Sequence, residues 1–416
     1  MLEAIDHASS GAKDSSLSFN LPVYMVDSDT DESTMKPLKI TVQDDNPTID
    51  NTTSVSGFSV DENDLSGSAV ASGQFEFTPG ADSVDSFSLA NMNDAIDGLS
   101  SGGVDLTIEK KYDGAANATS YQAMAGNKVV FTLELGDDGS YRFELKEALD
   151  HPVDKDSLTV PFEVIALDGD GDVSNSYPLP INIDDDKPIL LDSTGEKSVD
   201  EDDLSGIGSD QSDDTQIGGF FVVDEGADSI VEYELTNADS TLDNLQSGGE
   251  SLEWLPVSVN GTEFTYVAQT SQSNQPVLSI TFDTSDNSYS FDLLRPIEHP
   301  DGNADNTWQL DFIVQATDFD GDISNPITLP ITIKDDVPLV TEQQISRIEG
   351  QGYRGTKVNL FDVSTDKGAD GAELTSIHGT TDGSSEILFK QGANYVDNVD
   401  LNSGSQRITV AEEYEK

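Results

Sequence analysis

An acidic loop of the pattern Asp-x-Asp-x-Asp occurs three times in this chain, at residues 27–31, 168–172 and 318–322. Each loop is followed at a fixed distance by a second acidic element, Asp-Asp-x-Pro. From the first Asp to the Pro there are 20 residues in every copy (27 to 47, 168 to 188 and 318 to 338). Because chance does not keep such a spacing three times, the sequence predicts an array of one repeated domain.

Other short motifs recur with the same period. Asp-Glu-x-Asp-Leu-Ser-Gly occurs at 61–67 and 200–206, and a Gly-Ala-Asp turn occurs at 80–82, 226–228 and 368–370. These alignments predict two whole repeats at 47–187 and 188–337. They are flanked by the C-terminal part of a preceding repeat at 1–46 and the N-terminal part of a following, variant or split repeat at 338–416. We therefore expect the chain to be a piece of a longer protein.

Each whole repeat consists of short β-type segments separated by turn residues, with no long helical periodicity. In the first, Val129–Leu135 and Tyr141–Leu145 flank Gly-Asp-Asp-Gly, a strong hairpin signal. Ser157–Leu167 and Tyr177–Ile183 flank the loop at 168–172. This pattern predicts an all-β chain built from tandem β-sandwich domains.

The charge balance restricts the partners. Eighty acidic residues against 20 basic ones give a formal net charge of -60, which excludes nucleic acid and insertion into an anionic membrane as partners. Cysteine is absent, so neither disulfides nor thiolate metal sites contribute. Oxygen-ligated metal ions are the expected means of neutralising so many carboxylates.

Strand polarity indicates where the acidic elements meet. If the first strand of a sandwich runs from top to bottom, the 61–67 loop lies at the bottom, while the 80–83 turn and the 168–172 loop lie at the top. Each linker is then surrounded by three acidic elements. Two carboxylates about 5 Å apart repel by roughly 3 kcal/mol at an effective dielectric of about 20. Ca²⁺ fits best, because it accepts about six to eight oxygens in flexible geometry.

This reasoning gives a predicted Ca²⁺ ligand set for each linker. The linker that ends at Pro188 receives Asp61, Glu62, Asp64, Asp184, Asp185, Asp186, Asp228, Asp318, Asp320 and Asp322. The linker that ends at Pro47 receives Asp44, Asp45, Asp82, Asp168, Asp170 and Asp172. The linker that ends at Pro338 receives Asp200, Glu201, Asp203, Asp335, Asp336 and Asp370. The first loop adds Asp27, Asp29 and Asp31.

These loops admit other interpretations. Each loop could instead be a solvated turn or bind one ion within its own domain. An EF-hand is excluded, because Val173 and Leu179 stand where that loop needs Gly and Glu. One His recurs per copy, as His7, His151 and His299, which argues against a hydrolase triad and for a hydrogen-bonding role beside the next strand. We expect no enzyme.

The combined motifs resemble the Ca²⁺-binding Ig/cadherin-like repeats of giant type I-secreted RTX adhesins. The resemblance is carried by Gly139–Leu145, Leu149–Pro152, Phe162–Asp172 and Asp185–Pro188, and by the same string in the next repeat. It implies Ig/cadherin-like sandwiches joined by short acidic Ca²⁺-binding linkers, on a Gram-negative cell surface. The implied role is a structural extender that projects a distal ligand-binding region for attachment and biofilm formation. The implied partners are neighbouring repeats and, through other regions, host or biofilm surface ligands.

The sequence also leads to an alternative function and to a prediction of self-association. The alternative function is a Ca²⁺-dependent lectin-like or peptide-binding module, with residues 240–276, including Trp254 and Tyr266, as the place for a ligand. The part-repeats at the two ends are nearly complementary, which predicts head-to-tail self-association between copies.

Overall fold

The computed structural model describes residues 16–54, 58–111, 117–153, 155–169, 171–209, 215–299, 306–337 and 369, with short strand segments beyond. By its internal packing the chain divides into two compact units. The first comprises Met1–Asp192, Val222–Glu234 and Gln315–Ile327, and the second comprises Ser193–Phe221, Leu235–Val314 and Thr328–Lys416. Among the described residues, no helix is long and apolar enough to cross a bilayer.

The first strands form a two-stranded antiparallel sheet. They are β1 (Ser16–Val23) and β2 (Lys36–Gln43), with Phe19 opposite Ile40 and Leu21 opposite Leu38. The 27–31 loop lies between them.

The next strands form a β-sandwich. They are β3 (Thr48–Ser54), β4 (Ser59–Asp61), β5 (Val70–Thr78), β6 (Val84–Leu89), β7 (Ser100–Ser101), β8 (Val104–Lys111), β9 (Ala118–Ala125), β10 (Lys128–Gly136), β11 (Ser140–Leu145), β12 (Ser157–Asp168) and β13 (Tyr177–Asp184). One sheet has the order β3-β5-β11-β10-β9-β8-β7, and the other has the order β4-β13-β12-β6. Two 3₁₀ turns accompany them, at Glu62–Ser66 and Asp94–Ile96.

The strands that follow repeat this arrangement. They are β14 (Ile189–Ser193), β15 (Ser198–Asp200), β16 (Gln216–Asp224), β17 (Ile230–Leu235), β18 (Gln246–Ser247), β19 (Glu250–Trp254), β20 (Ser258–Asn260), β21 (Glu263–Thr270), β22 (Pro276–Asp283), β23 (Ser288–Leu293), β24 (Thr307–Asp318) and β25 (Ile327–Lys334). The larger sheet runs β14-β16-β23-β22-β21-β19-β18, and the smaller runs β15-β25-β24-β17. A 3₁₀ turn lies at Glu201–Asp203 and a short helix, α1, at Ala238–Thr241.

Short strands near the C-terminus complete the described elements: β26 (Ser376–His378), β27 (Leu388–Gln391), β28 (Asn394–Val396), β29 (Asn398–Asp400) and β30 (Thr409–Ala411).

The two successive pairs of sheets confirm the predicted all-β fold of tandem sandwiches.

Alternating burial along the strands explains why the two sheets pack. In β12 every second residue from Val160 is buried, as expected for a strand with one face on a core. Phe131 of β10 and Phe143 of β11 lie 5.0 Å apart between ring centroids, and Phe162 of β12 meets Phe131 edge-on at 5.9 Å. All three rings are buried, so this aromatic cluster joins the two sheets without any charged group.

The Gly-Asp-Asp-Gly turn sets the register of β10 and β11. Gly139 adopts a positive φ of 87°, and a Cβ at this position would lie 2.9 Å from Cε1 of Phe77. Leu135 pairs with Tyr141 across the turn. A glycine is needed here both for the backbone conformation and for the close approach.

The aromatic cluster gives a first prediction. Phe162→Ala should lower the free energy of unfolding by about 3–5 kcal/mol, because it removes a buried ring and leaves a cavity between the sheets. Thermal or denaturant unfolding followed by circular dichroism measures the change. Phe220→Ala, at a side chain that is 54% exposed, is the control and should stay within about 0.5 kcal/mol. Equal losses in the two variants would contradict the assigned core.

Candidate metal centres

Parallel strand pairing positions the first pair of acidic side chains. β4 runs parallel to β13, with Asp61 opposite Asp184, so the residues that follow each strand, Glu62 and Asp185, emerge side by side. In the next repeat β15 runs parallel to β25 and pairs Asp200 with Lys334. The next residues are Glu201 and Asp335. In both repeats, parallel pairing of a short strand with the last strand therefore places a Glu beside a linker Asp.

The 3₁₀ turn after β4 directs Glu62 inward. Oδ1 of Asp61 accepts a hydrogen bond from the Asn63 N–H (3.0 Å) and caps the turn. Oε1 of Glu62 accepts the Leu149 N–H at 2.9 Å, and the side chain is buried. Asp64, which follows, is exposed. The motif thus supplies one cap and one buried carboxylate.

The linker and the Gly-Ala-Asp turn are joined by a carboxylate. Oδ2 of Asp186 accepts the Ala227 N–H at 2.6 Å. A Cβ on Gly226, whose φ is +75°, would clash with that oxygen, so only glycine permits the approach. Asp45 accepts the Ala81 N–H in the same way, at 3.0 Å.

These contacts produce the Glu62 cluster, which lies within the first compact unit and consists of Glu62, Asp185, Asp186 and Asp228. One oxygen from each carboxylate lies within 4.8 Å of the others. Within this cluster, three buried oxygens have no hydrogen-bond partner among the described residues: Oε2 of Glu62, Oδ1 of Asp186 and Oδ2 of Asp228. Buried polar atoms are normally satisfied, and an all-oxygen set suits a hard cation, so these residues fit Ca²⁺.

The pKa shifts of the cluster also favour binding of a cation. Burial raises the pKa of Glu62 to about 9; the Leu149 N–H opposes the rise, and the charges of Asp228, Asp185 and Asp186 add to it. Burial followed by the charge of Asp320 raises the pKa of Asp228 to about 7. Burial raises the pKa of Asp185 to about 6 although His151 opposes it. Without a bound cation, the cluster keeps protons at neutral pH.

His151 lies against this cluster and is held by backbone groups. Its Nδ1 lies 2.9 Å from the Leu149 carbonyl oxygen and its Nε2 lies 3.2 Å from the Ile183 carbonyl oxygen. Its backbone N–H donates to Oδ2 of Asp320 at 3.0 Å. Because both ring nitrogens face carbonyl oxygens, the ring connects two chain segments, in agreement with the hydrogen-bonding role expected from the sequence.

The Asp-x-Asp-x-Asp loops are closed by their first Asp. Oδ1 of Asp318 accepts the N–H groups of Gly321 (3.1 Å) and Asp322 (2.7 Å). Oδ1 of Asp168 accepts the equivalent N–H groups at the same two distances. Burial, followed by the hydrogen bond with Asp320, raises the pKa of Asp318 to about 7.

Three smaller acidic clusters accompany the Glu62 cluster: Asp44, Asp45 and Asp82; Asp27, Asp29 and Asp31; and Glu201, His299 and Asp335. The first lies beside Pro47 and the second is exposed. In the third, Oε1 of Glu201 accepts the Ile297 N–H at 2.8 Å, as Glu62 does with Leu149.

Several predicted ligands have other contacts. Oδ2 of Asp184 accepts the Ser59 hydroxyl at 2.6 Å. The Asp200 side chain accepts the Asp202 N–H and so caps the 3₁₀ turn, and its Oδ2 lies 3.6 Å from Nζ of Lys334. Oδ2 of Asp322 lies 3.2 Å from Nζ of Lys187. Asp336 accepts hydrogen bonds from the N–H and the hydroxyl of Ser209. Of the other predicted ligands that belong to no cluster, Asp172 is buried and Asp203 is half-buried. Asp170 and Asp370 lie outside the described residues.

Sequence reasoning missed Asn175 and Asn325. Asn325 accepts the Leu190 N–H through Oδ1 (3.1 Å) and donates from Nδ2 to the Leu190 carbonyl oxygen (2.8 Å). Asn175 makes the same pair of bonds to Ile49. Each Asn therefore fixes the acidic loop to the strand that follows a linker. The available signal was the Val/Ile-Ser-Asn sequence directly after both loops.

The aromatic residues of segment 240–276 have structural partners. Nε1 of Trp254 donates to the Ala238 carbonyl oxygen at 2.8 Å, and its ring meets Tyr266 edge-on at 6.2 Å. The Tyr266 hydroxyl accepts the Leu235 N–H at 3.2 Å. Within the described part of the chain, no acidic cluster that could hold a metal falls in this segment. The alternative ligand-binding function therefore gains no support from this segment.

Glu62→Gln tests the electrostatic account. In chelator at pH 7 the buried Glu62 must take up a proton on folding, at a cost of about 3 kcal/mol for a pKa raised from 4.5 to about 9. Gln keeps the acceptor for Leu149 and avoids that cost, so the variant should be about 2–3 kcal/mol more stable without cations and should gain less from Ca²⁺.

The sign of the pH dependence follows from the same shift. Since the folded state binds the extra proton, the stability of the wild type without cations should fall as pH rises from about 4.5 towards 9, and Glu62→Gln should flatten that fall. Thermal unfolding across this range measures it. The exposed Glu76→Gln serves as control. A Glu62→Gln variant that is destabilised in chelator would refute the account.

Comparison with known proteins gives no family. No family model matches the chain, and no curated protein matches it. Among solved structures, the D00-D0 domain of intimin is 10% identical over 68% of this chain and 98% of its own, with a TM-score of 0.19. Zebrafish RET cadherin-like domains 1 to 4 are 10% identical, covering 77% of this chain and 65% of theirs, with a TM-score of 0.22. The structure concerning host cell surface retention of a 1.5-MDa bacterial ice-binding adhesin is also 10% identical, covering 76% of this chain and 72% of its own, with a TM-score of 0.16. Values this low assign neither a family nor a function.

Proposed function

We propose that this chain is a Ca²⁺-stiffened extender region of a large bacterial surface adhesin. In this role it is extracellular and holds a distal ligand-binding region away from the cell, for attachment and biofilm formation. The Glu62 cluster is the observation that supports the proposal. It gathers carboxylates from three separate segments: the turn after β4, the linker after β13 and the Gly-Ala-Asp turn.

The cluster is suited to mechanical coupling rather than catalysis. Bound Ca²⁺ would supply the positive charge that the carboxylates lack, together with about six to eight oxygen positions. Glu62, Asp185, Asp186 and Asp228 are the residues that would hold it, with Asp320 beside them on the His151 N–H. Because these five residues come from four separate segments of the chain, neutralising their repulsion holds those segments together.

The cellular setting also belongs to the proposal. The motif resemblance supports secretion by a type I route from a Gram-negative cell as an RTX adhesin. Extracellular Ca²⁺ at millimolar levels would fill sites with dissociation constants of about 10⁻⁴–10⁻³ M. Such sites would be largely empty in the cytosol and filled outside, so stiffening would follow export.

Chelation is the test of stiffening. Ca²⁺ at about 100 times its dissociation constant should stabilise the chain by about 2.7 kcal/mol per coupled site and raise the melting temperature. Small-angle scattering should show a broader distribution of dimensions in chelator than in Ca²⁺. Mg²⁺ at the same concentration is the control and should do less, because it demands a tighter octahedron. Identical scattering with and without chelator would eliminate the stiffening role.

Self-association is proposed from the exposed face of β1 and β2. Phe19, Leu21, Val23 and Leu38 are between 37% and 51% exposed. Their equivalents in β12 and β13, by the spacing of the acidic loops, are Val160, Phe162, Val164 and Leu179, none more than 1% exposed. In that sandwich the equivalent hairpin is flanked by β4 and β6 and covered by the larger sheet.

A second copy of the chain is the proposed cover for this face. Residues 338–416 align with the front of a repeat, which is the part that supplies β4, β6 and much of the larger sheet. We expect the C-terminal segment of one copy to pack on β1 and β2 of the next, giving a heterologous association.

Mixing two disabled variants tests this arrangement. Phe19→Asp removes the hairpin face, and Leu388→Asp with Phe389→Asp disables β27 whichever side faces inward, since neighbouring strand residues point to opposite sides. Each variant alone should sediment as a monomer, and an equimolar mixture should form a dimer through the one intact pair of surfaces. A monomeric wild type at high concentration, or a mixture that stays monomeric, would contradict the proposal.

A further inference from the structure

The second residue of the acidic loop differs in every copy. It is Ser28 in the first loop, Gly169 in the second and Phe319 in the third. A large aromatic side chain between two metal-seeking carboxylates is not required by cation binding. Its contacts therefore indicate what else the third loop does.

Phe319 packs on the turn between β7 and β8. A Cβ built on Gly103 would lie 3.2 Å from Cζ of Phe319, so the ring lies against bare backbone and would have to shift by a few tenths of an ångström beside any larger residue. Gly103 has a φ of +74° and donates its N–H to Oδ2 of Asp150 at 2.9 Å. The turn is thus held in place, and the ring remains 44% exposed.

The two residues after Phe319 contact the same region. Oδ2 of Asp320 accepts the His151 N–H at 3.0 Å. A Cβ on Gly321 would lie 3.5 Å from Cγ2 of Val153. Three consecutive loop residues therefore contact the segments around Gly103 and His151, all within the first compact unit. None of these contacts needs a cation.

The described residues of the second loop lack the equivalent contacts. Gly169 donates its N–H to the Ser83 carbonyl oxygen at 3.2 Å, and a Cβ on Gly171 would meet nothing within 4 Å. Within the described residues this loop therefore contacts the turn that contains Ser83. The comparison isolates Phe319 as the distinguishing residue.

We propose that Phe319 is a positioning residue: it forms a cation-independent latch on Gly103 that holds the 318–322 loop, and hence Asp320, beside the Glu62 cluster. The latch itself stands without bound metal. Its consequence, tighter cation binding through a preorganised loop, rests on the proposed function.

A matched pair of glycine variants tests the latch in the full chain. Gly103→Ala forces the ring to shift by a few tenths of an ångström, whereas Gly102→Ala adds the same methyl at a φ of +57° where nothing lies within 4 Å of it. The two variants share the backbone strain, and Gly103→Ala alone disturbs Phe319. Phe319→Gly, which copies the second loop, and Phe319→Leu, which keeps an apolar contact, complete the set.

Hydrogen exchange in chelator is the measurement. Phe319→Gly and Gly103→Ala should speed exchange of the Gly321, Asp322 and His151 amides roughly fivefold to tenfold, as expected when the contact of a partly exposed aromatic ring is lost. Gly102→Ala and Phe319→Leu should change it less than about twofold. Exchange in the 168–172 loop should not change in any variant.

The outcomes separate the latch from the metal site. Unchanged exchange of the 318–322 loop in chelator for both Phe319→Gly and Gly103→Ala overturns the latch, whatever Ca²⁺ does. An equal effect of Gly102→Ala overturns it as well. Faster exchange that Ca²⁺ suppresses supports the latch and the cation site together. Faster exchange that Ca²⁺ leaves unchanged supports the latch and counts against the proposed function.

Discussion

The arrangement at the Glu62 cluster depends on one constraint: four carboxylates with oxygens within 4.8 Å of one another must have their charge matched. Burial makes this more demanding, because it raises the free energy of each ionised carboxyl group, which is why the pKa of Glu62 rises to about 9. In a chain with a formal charge of -60, few cationic side chains are available to supply the match. Protons or a bound cation must therefore balance the carboxylate charge. Protonation is favoured at low pH, whereas cation binding is favoured at high pH.

The constraint is created by topology rather than by a local motif. A parallel pairing of one short strand with the last strand of the sandwich sets Glu62 beside Asp185, and the same pairing sets Glu201 beside Asp335. Strand order sets these two positions side by side, and the sequence places an acidic residue at each of them in both repeats. Repeating the domain therefore repeats this pair of acids.

Sequence patterns predicted the sandwich and the acidic elements, because periodicity and turn residues are local properties. They did not show which acids point inward. Asp61, Glu62 and Asp64 are equivalent as sequence, yet the 3₁₀ turn makes the first a cap, buries the second and exposes the third. Asn175 escaped notice because its partner is the backbone of Ile49, which is distant in sequence and carries no side-chain signal.

The core and the acidic clusters depend on separate physical terms. The contacts among Phe131, Phe143 and Phe162 bury apolar rings between two sheets and contain no titratable group. Carboxylate repulsion acts instead on the linker and its neighbouring turns, where the Glu62 cluster gathers four acidic side chains. Loss of a cation would therefore loosen the connections made by the linkers while each sandwich stays folded. In the spacer role proposed above, that separation would let stiffness respond to the surrounding Ca²⁺ without unfolding the domains.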